Sequence, residues 1–381
     1  LGDSLASTFA ALLRGESAVD SIGNFDASNL PVTFAAELKN RPDLDQGRLK
    51  LALTEQCWSQ IKAQMAGTTL PKRLGVCVGS EAARPDLAEF AARLRSGQGP
   101  SLVELQRNSA NAPAEWLAET LGASGPVSTV STACTSSSQA VGEGYLRLMR
   151  GEVDAMIVGG VDVLVGPLMV TGFSLLGALS TRNENPQAAS RPFDTDRDGF
   201  VLGEGAGFLL IETEASAQSA GRSPLAELAG YGTSCNAWRL TDSPPDGRGA
   251  AQAMAQALKT AGIGPEEIGY INAHGTSTGM NDPSEAAGIQ TVFGAACPPV
   301  SSSKSMMGHL VAACGAVEAL VCMEVVRKGQ IPPTLNLESP DPRCALNHVA
   351  GGPQKADVKH ALSNAFGFGG SNGALVVSAW D

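Results

Sequence analysis

Residues 127–150 read VSTVSTACTSSSQAVGEGYLRLMR, and residues 151–163 continue GEVDAMIVGGVDV. The β-branched run 127–131 has the composition of a strand, and 135–150 has the pattern of a helix. Residues 153–163 form a nearly unbroken apolar run of strand length, which fits a sheet covered on both faces. Outward from this strand–helix–strand unit, residues 4–14 and 49–66 read as helices and 73–78 as another buried strand. The polar stretch 182–197, with its Asn-Pro and Arg-Pro steps, reads as a loop, and 208–212 resumes a strand.

The pattern then begins again. After residues 216–224, strands at 225–231, 268–272 and 300–303 alternate with helices at 249–262, 283–293 and 315–328. A last hairpin joins 361–366 to 373–379. Two series of like layout indicate a duplicated α/β core with halves at 1–215 and 216–381. Length agrees, because 381 residues exceed the roughly 250 to 300 at which one core stops growing. A formal charge of -11 excludes nucleic-acid binding through bulk positive charge. The longest apolar stretch, 153–170, is broken by Asp154 and Asp162 and falls short of the ~20 residues of a membrane span. Eight cysteines make no CxxC pair, which points to a reducing, cytoplasmic setting and against zinc.

Cys134 falls where a strand gives way to a helix, a position at which free amides and the helix dipole favour thiolate. His274, in NAHGTST (272–278), and His309, in KSMMGHL (304–310), each follow a strand of the second half. Histidines at two such strand ends, where open α/β sheets bind ligands, point to one shared site. The glycine clusters do not read as nucleotide loops. GEGAG (203–207) runs into the strand-like FLLI, and 367–373 leaves too little chain for a βαβ unit. The second cluster instead fits a tight turn whose backbone approaches a substrate.

Five segments, TACTSSS (132–138), GALSTRNENPQAASRPFDTDRDGFVLGEGAG (177–207), NAHGTST (272–278), SSSKSMMGHL (301–310) and NAFGFGGSNG (364–373), resemble in order and spacing the β-ketoacyl-acyl carrier protein synthases. The resemblance is to the elongating, type-II-like group of the thiolase superfamily. It implies a thiolase-like fold, two βαβ halves in a five-layered α/β/α/β/α sandwich with the site between them. It makes Cys134 the acyl-accepting nucleophile of a Cys-His-His triad with His274 and His309. Lys304 and Glu318 would order that network, with Asp282 and Glu285 in support. Thr276 and Thr278 would bind a phosphopantetheine arm. Phe368 would be the gate, its amide forming an oxyanion hole with that of Cys134. Ala82 would line the acyl pocket.

The implied reaction is decarboxylative condensation of an acyl-cysteine with a malonyl thioester. Neither a metal nor a free cofactor is expected, since the substrates ride on an acyl carrier protein. A homodimer is expected, with a heterodimer as the alternative. Arg48, Lys50 and Arg182 are the candidate basic residues for carrier docking. A degradative thiolase would need a second cysteine in 367–373, an initiating synthase would have Asn in place of His309, and a non-catalytic chain-length partner would lack Cys134. Gly177, Gly279, Met280, Met307, Ala312 and Cys314 depart from the family pattern. Gly177 leaves a specialised polyketide or polyene pathway as the second reading. The family's usual first strand would precede Leu1, so a shortened start is expected.

Overall fold

The computed structural model describes residues 1–39, 44–65, 67–84 and 87–380. In the first half, β1 (Leu74–Gly79), β2 (Val127–Val130), β3 (Ala155–Asp162) and β4 (Gly205–Glu212) form one sheet in the order β2-β1-β3-β4. β1 runs parallel to β2 and β3, and β4 is antiparallel to β3. The second sheet contains β5 (Glu227–Cys235), β6 (Ile268–Asn272), β7 (Val300–Ser301), β8 (His360–Phe366) and β9 (Ser371–Ser378), in the order β5-β9-β8-β6-β7. Read from β7, its directions are parallel, parallel, then antiparallel. The series β7-β6-β8-β9 therefore repeats β2-β1-β3-β4, which is the duplication expected from the sequence. β5 extends the second sheet beyond β9, and the corresponding flank of β4 borders a groove of about 1950 Å³.

Seven helices complete the layers: α1 (Leu5–Arg14), α2 (Gln46–Gln64), α3 (Ala112–Leu121), α4 (Ser136–Met149), α5 (Arg248–Ala261), α6 (Asn281–Phe293) and α7 (Cys314–Lys328). α4 and α7 lie between the sheets, α2 and α3 cover the outer face of the first, and α5 and α6 that of the second. This gives the five-layered sandwich. A helix between two sheets cannot afford a polar face, and α7 accordingly buries residues around most of its circumference. α4 packs closely through small residues. A Cβ on its Gly142 would sit 2.4 Å from the Tyr231 ring, so only glycine permits that approach of helix and sheet.

Element by element, the expected helices and strands lie close to their predicted places. The helix read over 49–66 is α2, and residue 66 is outside the described residues. The pattern gave no sign of the helices Leu87–Arg95, Leu102–Asn108 and Pro167–Leu175. The first two bury no residue, so no core contact imposes a regular apolar stripe on them. The stretch 182–197 is irregular apart from a single turn, Pro186–Ala188. Buried Asp194 organises it by accepting from the amides of Asp196, Glu338 and Ser339. No helix among the described residues is long and apolar enough to cross a membrane.

Candidate active site

The duplication brings two equivalent turns together at the mouths of the central helices. The 3₁₀ turn Ala133–Thr135 leads into α4, and Val311–Ala313 leads into α7. Each begins with a non-glycine residue in the left-handed region, Ala133 at φ 52° and Val311 at φ 46°. Such a conformation is costly for residues with a Cβ and has to be held by its surroundings. At the first turn, the Thr132 amide donates to Ser136 Oγ at 2.9 Å, and that hydroxyl donates to the Ala133 carbonyl at 2.6 Å. From the other side, Glu81 accepts the Ser131 hydroxyl at 2.9 Å and the Ala133 amide at 3.3 Å.

Cys134 is thus presented on a rigid turn. It is not the resting thiolate expected at a helix N-terminus. Burial pushes its thiol up to about 12, outweighing the opposing pull of Lys304 and of the amides of Phe368 and of Cys134 itself. The local dipole argument was correct in sign, and desolvation is the larger effect. Those two amides, whose pull lowers the thiol pKa, are the pair expected to form the oxyanion hole. The backbone of Gly367 abuts the nucleophile turn, since a Cβ there would lie 3.0 Å from the Thr132 carbonyl oxygen. The following turn, Phe368–Gly370, is tied to a neighbouring loop by Gly369 N–H to the Leu240 carbonyl at 2.6 Å and Asn236 N–H to the Gly370 carbonyl at 2.7 Å.

His274 and His309 face this cysteine. The sulfur and one nitrogen of each ring all lie within 4.8 Å of one another. The rings meet edge to face with centroids 5.4 Å apart, and Phe366 and Phe200 pack on His274 and His309 at 5.6 and 5.1 Å. Burial lowers both histidine pKa values well below the usual range, and the Lys304 charge adds to this; His309 further lowers His274. Both imidazoles are therefore neutral near pH 7. The Val311 amide donates to His309 Nδ1 at 3.2 Å. That nitrogen must be an acceptor, so the ring hydrogen is on Nε2. His274 Nδ1 has no hydrogen-bond partner among the described residues.

Carboxylates hold the loops around the histidines. Glu285 accepts the amides of His274 and Gly275, each at 2.8 Å, and Asn364 Nδ2 at 3.1 Å. Burial nevertheless raises its pKa to about 7. Asp282 accepts the Thr276 amide at 3.1 Å and the Phe193 amide at 2.8 Å, with Arg197 3.7 Å away. The Thr276 and Thr278 hydroxyls are 3.0 Å apart. Lys304 and Glu318 form a fully buried pair at 2.5 Å; burial is the largest effect and works against the lysine charge, but Glu318, Cys314 and Glu285 together raise the lysine pKa. Ala82 lies in the loop beyond β1, next to Glu81, and its carbonyl accepts from Arg84 at 2.7 Å.

Three features differ from the sequence reading or escaped it. Lys50 cannot be a docking residue: it is 2% exposed, and its ammonium donates to the Glu81 carbonyl. Burial lowers its pKa, with Asp162 opposing. Arg48 is exposed beside Asp45, whereas Arg182 donates to the Asp196 carbonyl at 2.5 Å. Glu81 and Asn364, which brace the two sides of the site, were missed. A charged residue two positions beyond the buried strand β1 was the available signal for Glu81. Cys134, His274 and His309 also form a group of donors of the kind that binds zinc. The neighbouring Lys304 charge, which depresses both histidine pKa values, opposes a cation there.

Two duplicated halves, each ending a turn at a shared buried site, define a thiolase-like protein. The description Beta-ketoacyl synthase, N-terminal domain, matches residues 3–217, and Beta-ketoacyl synthase, C-terminal domain, matches 225–338. The chain belongs to the β-ketoacyl synthase family. It is 38% identical to 3-oxoacyl-[acyl-carrier-protein] synthase 2 of Synechocystis sp., over 98% of this chain and 94% of the relative. Among solved structures, the ishigamide ketosynthase/chain length factor is similar with a TM-score of 0.88 at 31% identity, covering 99% of this chain and 95% of that one. A type II polyketide ketosynthase bound to its acyl carrier protein, AntDE:AntF, gives 0.86 at 29% identity, covering 99% and 96%.

Proposed function

We propose that this protein is a 3-oxoacyl-acyl carrier protein synthase acting through Cys134, His274 and His309, with residues 1–215 supplying the nucleophile and 216–381 the histidines and gate. The observation that carries this reading is the convergence of one sulfur and two neutral imidazoles within 4.8 Å. In the first half-reaction, Cys134 sulfur attacks the acyl carbonyl of a carrier-bound thioester. The amides of Cys134 and Phe368 stabilise the oxyanion, the old C–S bond breaks, and the thiol proton passes to the departing phosphopantetheine sulfur.

In the second, a malonyl thioester loses CO2, and the electron pair of the broken C–C bond becomes an enolate. His309 Nε2–H and the His274 ring donate hydrogen bonds to its oxygen. The enolate carbon then attacks acyl-Cys134, forming the new C–C bond. The cysteine leaves as thiolate and takes up a proton. This chemistry needs no metal or redox group; Thr276 and Thr278 bind the carrier's phosphopantetheine arm, and Lys304, Glu318, Asp282 and Glu285 hold the donors in place. Phe368 gates the acyl channel. The assembly is a cytoplasmic homodimer.

The test is intact-protein mass spectrometry after incubation with acyl-carrier thioesters of graded length, then malonyl-carrier. An acyl mass increment that is absent in Cys134→Ser, and that disappears with release of a 3-oxoacyl product, supports the assignment. An adduct persisting on Cys134→Ser overturns it. A second reading, a polyketide ketosynthase paired with a chain-length partner, is favoured by the likeness to the ishigamide complex. It requires that the chain alone fail to condense and regain activity with such a partner.

A further inference from the structure

Cys314 is a buried thiol that the reaction above does not use, and it stands beside a group that the reaction does use. Its sulfur is 3.0 Å from His309 Nδ1, the same nitrogen that accepts the Val311 amide. An Nδ1 that accepts from an amide bears no hydrogen, so only one polarity is open to the second contact: the thiol donates and the ring accepts. We propose that Cys314 is a positioning residue for His309, its S–H acting with the Val311 amide to keep Nδ1 unprotonated and the ring hydrogen on Nε2. The proposal rests on the decarboxylation role given to His309 above.

Two further observations agree. Burial, against the opposing pull of Lys304, keeps the Cys314 pKa well above that of an ordinary thiol, so the hydrogen is present to donate. The duplicated turn shows the same construction, since Ser136 and Cys314 are the first residues of α4 and α7. The Ser136 hydroxyl ties back to Thr132 and Ala133, as Cys314 ties back to His309. Donation to Nδ1 also draws electron density through the ring, which strengthens Nε2–H as a donor. Alanine at this position would remove the sulfur and donate nothing, whereas serine would keep a donor there.

The experiment compares Cys314→Ala and Cys314→Ser in both half-reactions and records the His309 ring nitrogens by NMR in selectively labelled protein. Loss of one neutral hydrogen bond predicts a decarboxylation rate reduced roughly two- to tenfold in Cys314→Ala. Acyl transfer to Cys134 should be unchanged, serine should restore the rate, and in the alanine variant the His309 Nδ1 resonance should shift toward that of a more weakly hydrogen-bonded nitrogen while the Val311 amide keeps the hydrogen on Nε2. An unchanged Nδ1 resonance, or equal losses in both half-reactions that serine does not rescue, overturns the role of Cys314. Absence of malonyl decarboxylation in the unsubstituted protein would instead overturn the functional reading, and the NMR measurement of Nδ1 stands apart from it.

Discussion

Replacing Lys304 by Met tests what holds the site together. Its ammonium is 2.5 Å from Glu318, with side chains 1% and 0% exposed. At an effective dielectric constant of about 20, that separation is worth about 7 kcal/mol of attraction, most of it spent on stripping water from both groups. Removing one partner leaves the other charge buried alone, so Lys304→Met should cost about 3–5 kcal/mol. The double variant Lys304→Met/Glu318→Leu should recover to within about 2 kcal/mol of the starting protein. The sign with pH follows from Glu318, whose pKa burial already raises to about 7 with Lys304 opposing. Without the lysine it rises further, so the single variant is most stable at low pH. It loses about 1.4 kcal/mol per unit as pH rises from the unfolded carboxyl value, about 4.3, toward the folded one. Urea unfolding of both variants at pH 6 and 9 reads these differences. A single variant that loses less than about 1 kcal/mol, or a double variant no better than the single, would refute the argument. Lys304 also depresses both histidine pKa values. The folded double variant should therefore lose malonyl decarboxylation at a higher pH than the parent as acid is added.

Three other outcomes are expected. His274→Ala or His309→Ala should slow decarboxylation by roughly 100-fold, the usual cost of an oxyanion donor, and acyl transfer less; equal losses measured in the separate half-reactions would remove that division of roles. Ala82→Ile and Ala82→Trp should shorten the longest acyl chain that loads Cys134 without slowing acetyl loading, because added methylenes displace tail volume worth about 0.8 kcal/mol per buried CH₂; an unchanged length profile by mass spectrometry would place Ala82 outside the pocket. Arg48→Glu should raise the apparent KM for carrier-bound substrate while leaving small thioesters unaffected, with the difference shrinking as salt shortens the screening length below about 8 Å. Equal KM values at low salt would exclude Arg48 from docking.

Much of this architecture can be read from the sequence because it rests on local rules. β3 is buried at every residue and appears in the sequence as an apolar run, 155–161, that ends at Asp162. The first histidine loop follows a short strand whose large apolar residues, Ile268, Tyr270 and Ile271, stand out in the sequence. The failures are cases in which a distant partner decides. Lys50 looks like a surface charge until the fold brings Asp162 and the Glu81 carbonyl to it. The thiolate expected at Cys134 follows from the adjacent helix, whereas the desolvation that defeats it comes from both halves closing over the sulfur. Glu81 reaches the nucleophile turn across about fifty residues of chain, a separation that leaves no periodic trace. The helices Leu87–Arg95 and Leu102–Asn108 fail for a related reason, since Leu94, Leu102 and Val103 are more than half exposed.

These electrostatic results share one direction. Burial raises the Cys134 thiol and lowers both histidines, so the reacting groups rest uncharged, and the Lys304 charge beside them is matched by Glu318. A neutral resting site suits the proposed chemistry. An imidazolium facing the enolate would be acid enough to protonate it, whereas a neutral Nε2–H can stabilise the oxygen and keep its hydrogen. The Val311 amide makes His309 that kind of donor before any substrate arrives. Negative charge then develops only as the reaction proceeds, first beside the two amides and later beside the two rings. Preorganised dipoles in a site closed to water act most strongly on charge that appears only in the transition state. The same desolvation that makes Cys134 a poor resting nucleophile therefore increases what each of those donors contributes.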